Sequence, residues 1–231
     1  MTSVANGIRV AIDGPSGSGK SSVSKKVAAH LGIGYLDTGA MYRALTWYCL
    51  DRGIDLDDLG AVADAVTAMP LEMGTDPSAP SISMGATRID TEIRTTRIAE
   101  VVSKVATNLL VRPKLQQRQR ELMAQIAADR GGVVAEGRDI TTVVAPDADV
   151  RILMVASEAA RLARRSKELH GGADDAAIAA TRTQIVDRDK ADSTVSSFMS
   201  AADGVVTLDT SDLTFQQSVE AVLTLVERAR G

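Results

Sequence analysis

The stretch Ile8-Arg9-Val10-Ala11-Ile12-Asp13-Gly14-Pro15-Ser16-Gly17-Ser18-Gly19-Lys20-Ser21-Ser22 decides the fold. A short apolar run passes into a glycine-rich turn, and Lys-Ser then opens a helical pattern. Gly14, Gly19, Lys20 and Ser21 satisfy G-x-x-x-x-G-K-[ST], the phosphate-binding loop, in the strand-then-helix context that gives the motif its meaning. Polyphosphate has to be wrapped by backbone N–H groups, and glycines at Gly14, Gly17 and Gly19 keep side chains out of its way. Gly14, Pro15, Ser16, Gly17, Ser18, Gly19, Lys20, Ser21 and Ser22 are therefore the expected nucleotide-binding residues. The N-terminus of the following helix points at the anion. Lys20, expected on a solvent-facing loop, reaches the β- and γ-phosphates of a nucleoside triphosphate, and the Ser21 hydroxyl is the expected ligand of the accompanying Mg²⁺.

Outward from the loop, Val23, Val27 and Leu31 recur at helical spacing up to Gly32. Ile33–Asp37 reads as a second strand ending in a carboxylate. Ligands of open parallel sheets lie beyond the carboxyl ends of the strands, so Asp37, Thr38 and Gly39 are placed near the nucleotide; Asp37-Thr38 also suits a helix N-cap. Arg43 is expected on the first turn of the next helix. A further helix is expected over 57–69. From Pro70 to Asp90 the chain becomes turn-rich and alternating, and reads as a small antiparallel insertion around Leu71-Glu72-Met73, Ser81–Met84 and Thr87-Arg88-Ile89. Helical spacing resumes through Ile98, Val105 and Leu109, and Pro113 starts a long helix to Gly131-Gly132. Val133–Asp139 is a buried strand ending in a Gly-Arg-Asp turn, and Val150–Val155 is another strand. Ser157 caps a helix carrying Arg161, Arg164 and Arg165, and His170-Gly171-Gly172 breaks it, so these arginines suit a lid. A helix from Asp175 to Ile185, a last strand at Val205–Leu208 and a terminal helix complete the pattern. Apolar strands alternating with helices predict a three-layer α/β/α fold with a parallel central sheet.

The chain of 231 residues suits one α/β domain over 1–231, with 45% hydrophobic and 24% charged residues. No run is apolar enough to span a membrane, and residues 1–7 are too short and polar for a signal peptide, so a disordered tail and a cytoplasmic protein are expected. Cys49 is the lone cysteine, and His30 and His170 lie far apart, which leaves no zinc site. A net charge of −4 argues against a general nucleic-acid binder. Yet basic residues cluster at Arg112–Arg120 and Arg161–Lys167, which suits a small polyanionic ligand.

Together, the loop, Leu36-Asp37-Thr38-Gly39-Ala40-Met41-Tyr42-Arg43, Glu92-Ile93-Arg94, Ser103, Arg112, Glu136-Gly137-Arg138-Asp139 and Arg188-Asp189 resemble the bacterial cytidylate kinase family of P-loop nucleoside monophosphate kinases, from about residue 8 to the C-terminal helix. The resemblance implies transfer of the γ-phosphoryl group of ATP to CMP or dCMP. It implies that Arg43 and Arg138 bind the CMP phosphate with Thr38 close by, that Ser103, Arg112 and Asp139 read cytosine, and that Arg188 and Asp192 hold the sugar hydroxyls. Lys20, Arg138, Arg164 and Arg165 are the expected catalytic residues. Residues 38–100 correspond to the monophosphate-binding region and 158–185 to the lid. Many members carry an arginine shortly after the Arg-Asp segment, where this chain has Val195. The substrates are small molecules, and no obligate protein partner, nucleic acid or membrane is implied. Two other readings start from the loop: a P-loop kinase of a small alcohol, with Asp37 or Asp139 as base, and a GTPase-like switch. The second calls for Asn-Lys-x-Asp, which the chain lacks.

Overall fold

The computed structural model describes residues 7–170, 182, 185–186 and 188–231. Residues 1–6 of the N-terminal tail expected over 1–7, the break at Gly171-Gly172 and most of the helix expected over 175–185 lie outside the described residues. Five strands form one parallel sheet: β1 (Ile8–Asp13), β2 (Gly34–Asp37), β6 (Gly132–Gly137), β7 (Val150–Val155) and β8 (Val206–Asp209), in the order β2-β6-β1-β7-β8. All six residues of β6 are buried, as a near-continuous apolar run flanked by strands on both sides requires. The register sets Asp13 beside Gly137 and Asp37 beside Glu136. The carboxyl ends of β1, β2 and β6 therefore open on one crevice.

The helices α1 (Lys20–Leu31) and α7 (Phe215–Arg230) cover one face of the sheet. Val23 and Val27 of α1 and Val219, Val222 and Val226 of α7 meet Val10, Ile12, Val134 and Ile152 there. Helix α5 (Val111–Arg130) covers the other face through Met123, Ile126 and Ala127. This is the three-layer architecture expected. A separate core joins α2 (Thr38–Asp51), α3 (Leu59–Ala68), α4 (Thr96–Ala106) and the antiparallel sheet of β3 (Leu71–Met73), β4 (Ile82–Met84) and β5 (Thr87–Arg88). The insertion is thus built where turn chemistry placed it. Its outer strand is only two residues long and carries Arg88 paired to Asp90, a short charged edge that resists further pairing.

Several boundaries differ from the sequence reading: α5 starts at Val111 rather than Pro113, and β6 runs Gly132–Gly137 rather than to Asp139. Helix α3 begins at Leu59 because Asp58 caps it, accepting from the Ala61 N–H at 3.0 Å. Arg43 stands on the second turn of α2, which starts at Thr38. Leu109 lies outside α4 and is exposed: the Asn108 side chain accepts from the Leu110 N–H at 2.9 Å and its carbonyl from the Val111 N–H, so the chain turns there into α5. After β6 the chain also forms a π-type turn, Ile140–Val144, which no periodicity announced.

Candidate active site

The phosphate loop joins β1 to α1. Gly17 takes φ 77°, and a Cβ there would lie 2.5 Å from the Arg161 carbonyl oxygen, so the position admits glycine alone. Gly19, at φ 89°, is the N-cap of α1, whose first turn carries no acidic residue. The helix start is therefore left for an external anion. Ser18 Oγ is buried and has no hydrogen-bond partner among the described residues, which suits a hydroxyl waiting for a phosphate oxygen.

Lys20 is the first residue of α1, and its Nζ donates to the Pro15 carbonyl at 3.3 Å. The sequence reading sets it on a solvent-facing loop; the structure places it at the start of α1, half-buried and lining the cleft. Burial pushes its pKa down, and the Glu136 carboxylate draws it back up. Glu136 is the site residue with no assigned role in the sequence. Burial raises its pKa, while Lys20, Ser21 and Tyr35 stabilise the charged form; the Tyr35 hydroxyl donates to Glu136 Oε1 at 2.9 Å. Glu136 also lies within electrostatic range of Asp37 at the end of β2, which caps α2 by accepting from the Ala40 N–H at 2.9 Å. The Ser21 hydroxyl with the Asp37 and Glu136 carboxylates forms a hard-oxygen donor set beside the loop, which fits Mg²⁺.

Across the crevice the guanidinium groups gather. Arg43 is buried, donates to the Ile93 carbonyl at 3.3 Å, and has its pKa pushed down to about 10, first by burial and then by Arg165. Arg94 and Arg138 add to that repulsion, while Asp37 opposes it. Burial, with Arg138 and Arg43, likewise holds the Arg188 pKa well down. Mutually repelling cations, Arg43 buried and Arg138, Arg165 and Arg188 half-buried, make a site that a dianion would stabilise. Arg138 sits over the Phe198 ring, 4.8 Å from its centroid, pairs with Asp192, and donates to Asp189 Oδ1 at 2.6 Å and Ser16 Oγ at 2.7 Å. Its Nε is buried with no hydrogen-bond partner among the described residues. Thr38 Oγ1 donates to the Glu136 carbonyl at 2.8 Å, and a Cβ at Gly137 would fall 2.4 Å from that hydroxyl. The glycine before Arg138 thus lets β6 and α2 close together.

Asp139 lies beyond Arg138 and is 5% exposed. Its Oδ2 accepts from Arg112 Nη2 at 2.6 Å and from Gln116 Nε2 at 2.7 Å, both on α5. Gln116 escaped the sequence reading; it stands one helical turn after Arg112, a spacing visible only once α5 is known to face the crevice. The turn bearing these residues is held from below. Asp13, fully buried at the end of β1, accepts from the Ile140 N–H at 3.0 Å, the Thr141 N–H at 2.8 Å and Thr141 Oγ1 at 2.6 Å. Ser103 Oγ donates to Asp192 Oδ1 at 3.4 Å, and Arg188 Nε lies 3.5 Å from Asp192 Oδ2.

Helix α6 (Glu158–His170) brings its arginines to the loop. Arg161 Nη1 donates to the Ser16 carbonyl at 2.9 Å and to Asp189 at 2.5 Å, and Arg164 Nη1 donates to the Ser18 carbonyl at 3.3 Å and Thr210 Oγ1 at 3.0 Å. The sequence reading grouped Arg161 with Arg164 and Arg165 as lid arginines; here Arg161 is buried against the loop. Arg164 and Arg165 line the same cleft of about 880 Å³ as Lys20, Arg43, Arg138 and Asp139. Arg112, Arg188 and Asp192 also face it, whereas Gly14 and Pro15 do not line it and Ser103 meets it through Asp192.

Among the described residues no helix is long and apolar enough to cross a membrane. The cytidylate kinase family model matches residues 10–228. A cytidylate kinase of Streptomyces avermitilis is 49% identical over 223 residues, covering 96% of this chain and 94% of the relative. That of Streptomyces griseus is 47% identical, covering 96% and 93%, and that of Streptomyces coelicolor is 46% identical, covering 98% and 96%. With a phosphate loop, a ring of arginines and a buried Arg-Asp pair in one cleft, the chain belongs to the cytidylate kinase family.

Proposed function

We propose that the protein is an ATP-dependent kinase of CMP and dCMP, forming CDP or dCDP and ADP. The observation that carries the reading is the single cleft that sets the phosphate loop at one side and, at the other, Arg43 and Arg138 followed by the Arg112–Asp139 pair. ATP binds with its phosphates on backbone N–H groups of the loop at residues 14–22; Pro15 has none, and that of Ser16 is given to Asp189. Lys20 neutralises charge at the β- and γ-phosphates. Arg43 and Arg138 hold the acceptor phosphate, the free Nε of Arg138 offering one donor, with Thr38 alongside. Arg188 and Asp192 hold the sugar, and Ser103 fixes Asp192. The cytosine N4 amine donates to Asp139, while its N3 and O2 accept from Arg112.

A nucleoside monophosphate is largely dianionic at neutral pH, so its oxygen attacks without a general base. The residues then need only align the two phosphates and neutralise the charge passing between them; Arg138, Arg164 and Arg165 supply this on the acceptor and loop sides. Mg²⁺ would be held by Ser21, with Asp37 and Glu136 behind it, and would supply charge neutralisation during phosphoryl transfer. Residues 38–100 form the monophosphate-binding region and 158–185 the lid within one domain. Asp139 Oδ2 already accepts from Arg112 and Gln116, so that oxygen is committed to these two donors rather than to the proton of an alcohol acceptor. Incubation with ATP, Mg²⁺ and CMP, followed by nucleotide chromatography, tests the reading: CDP and ADP should appear in equal amounts. ADP without CDP would overturn it.

A further inference from the structure

Asp189 has no part in holding either nucleotide, yet it stands where the two halves of the cleft meet. It is 5% exposed, in a short helical stretch at 188–193. Oδ1 accepts from the Ser16 N–H at 3.2 Å and from Arg138 Nη2 at 2.6 Å, and Oδ2 accepts from Arg161 Nη1 at 2.5 Å. The same two arginines take the rest of Ser16: Arg138 Nη2 donates to its Oγ and Arg161 Nη1 to its carbonyl. Every polar group of one phosphate-loop residue is therefore clasped by a single ionic cluster. That cluster draws one member from the acceptor turn, one from α6 and one from the 188–193 helix.

We propose that Asp189 is a positioning residue that couples the donor and acceptor sites, so that occupancy of one is felt as affinity at the other. The proposal rests on the reading of Arg138 as the arginine of the acceptor phosphate. Arg138 has two carboxylate partners, and they differ in kind. Asp192 belongs to the sugar side of the acceptor site, whereas Asp189 is tied to the loop amide and to α6. A phosphate arriving at Arg138 competes with both carboxylates for one guanidinium, and any shift of that group moves Asp189 against Ser16 and Arg161. An ATP that orders the loop pulls the same cluster from the other side. A buried carboxylate between two guanidiniums transmits such movement because none of the three can lose its partners to water cheaply. By linkage, the effect is equal in both directions.

Calorimetric titration of the full chain tests this. The Kd of CMP is measured alone and with a saturating non-hydrolysable ATP analogue, in wild type, Asp189→Asn and Arg161→Gln, with the Tm of each protein recorded. In wild type the analogue should tighten CMP roughly fivefold or more, within the usual range of coupling between sites. In Asp189→Asn, whose amide nitrogen would face a guanidinium or the Ser16 N–H, that factor should fall below about twofold. Arg161→Gln should lower it in the same direction, and it decides the matter if Asp189→Asn fails to fold. A purely structural role would lower the Tm and leave the factor alone. A factor of one in wild type, or an unchanged factor in the variants, overturns the proposal alone; failure of wild type to bind CMP overturns the functional reading and the proposal with it.

Discussion

At Lys20 two demands meet in one side chain. The ammonium must reach phosphoryl oxygens in the cleft, and it also faces Glu136, a carboxylate whose ionised form burial disfavours. On the proposed reading, truncation thus removes a catalytic charge, and it strips a buried carboxylate of its cation. Lys20→Ala should lower kcat by about 100-fold or more, the scale seen when one preorganised charge-stabilising donor is lost. It should also lower the Tm, unlike a substitution on a free loop. Steady-state rates with thermal melting check both; an unchanged Tm would mean that the ammonium does not support Glu136. The lysine was legible from its motif because the spacing G-x-x-x-x-G-K is local. Glu136 was not, because its role comes from strand order: β6 lies between β1 and β2, and only that adjacency brings residue 136 beside residues 20, 21 and 37. Gln116 escaped for the same reason, and Asp189 entered only as part of the Arg188-Asp189 resemblance with no role of its own, since neither helical residue carries a local sign of what it faces.

Among the elements, the parallel strands and their helices were readable because buried strands are apolar runs and amphipathic helices repeat every three to four residues. The π-type turn Ile140–Val144 was not, since its backbone donors are satisfied by Asp13, 127 residues earlier for Ile140. Leu109 fits the helical period but falls where Asn108 ends the turn, so period alone misassigns it. The Asp13 contact has a pH signature. Burial raises its pKa to about 6 from 3.8, with the Thr141 hydroxyl and the amides of Thr141 and Ile140 acting against that rise. A carboxyl whose folded pKa lies above its unfolded value contributes stability at low pH that is lost as pH climbs from about 4 through 6. Thr141→Val removes a donor to the ionised form and should push this pKa higher still. Urea unfolding should then show a loss of about 1.5–3 kcal/mol at pH 8, the usual worth of a hydrogen bond to a charged group, and a smaller loss at pH 5. Equal losses at the two pH values would contradict the account of this turn.

For the whole molecule, the sheet order places three strand ends on one crevice, and the second core of α2, α3, α4 and the antiparallel sheet builds its far wall. The wall carries Arg43, the crevice floor carries Arg138 and Asp139, and α5 brings Arg112 and Gln116 up from the other sheet face. On the proposed reading, base selection is a property of three elements meeting. It was legible in the sequence only through the resemblance, because residues 112 and 139 are joined by tertiary contact alone. The central claim is that Asp139 reads the cytosine amine. Uracil presents O4 at that place, an acceptor facing an ionised carboxylate, and such polar mismatches cost about 1–3 kcal/mol. The measurement is kcat/KM for CMP and for UMP, with ATP saturating, in wild type and in Asp139→Asn, whose carboxamide can turn an N–H toward O4. Wild type should favour CMP by at least about tenfold, consistent with that mismatch, and Asp139→Asn should bring the ratio near or below one. A wild-type ratio near one, or a ratio that Asp139→Asn leaves unchanged, would contradict the account.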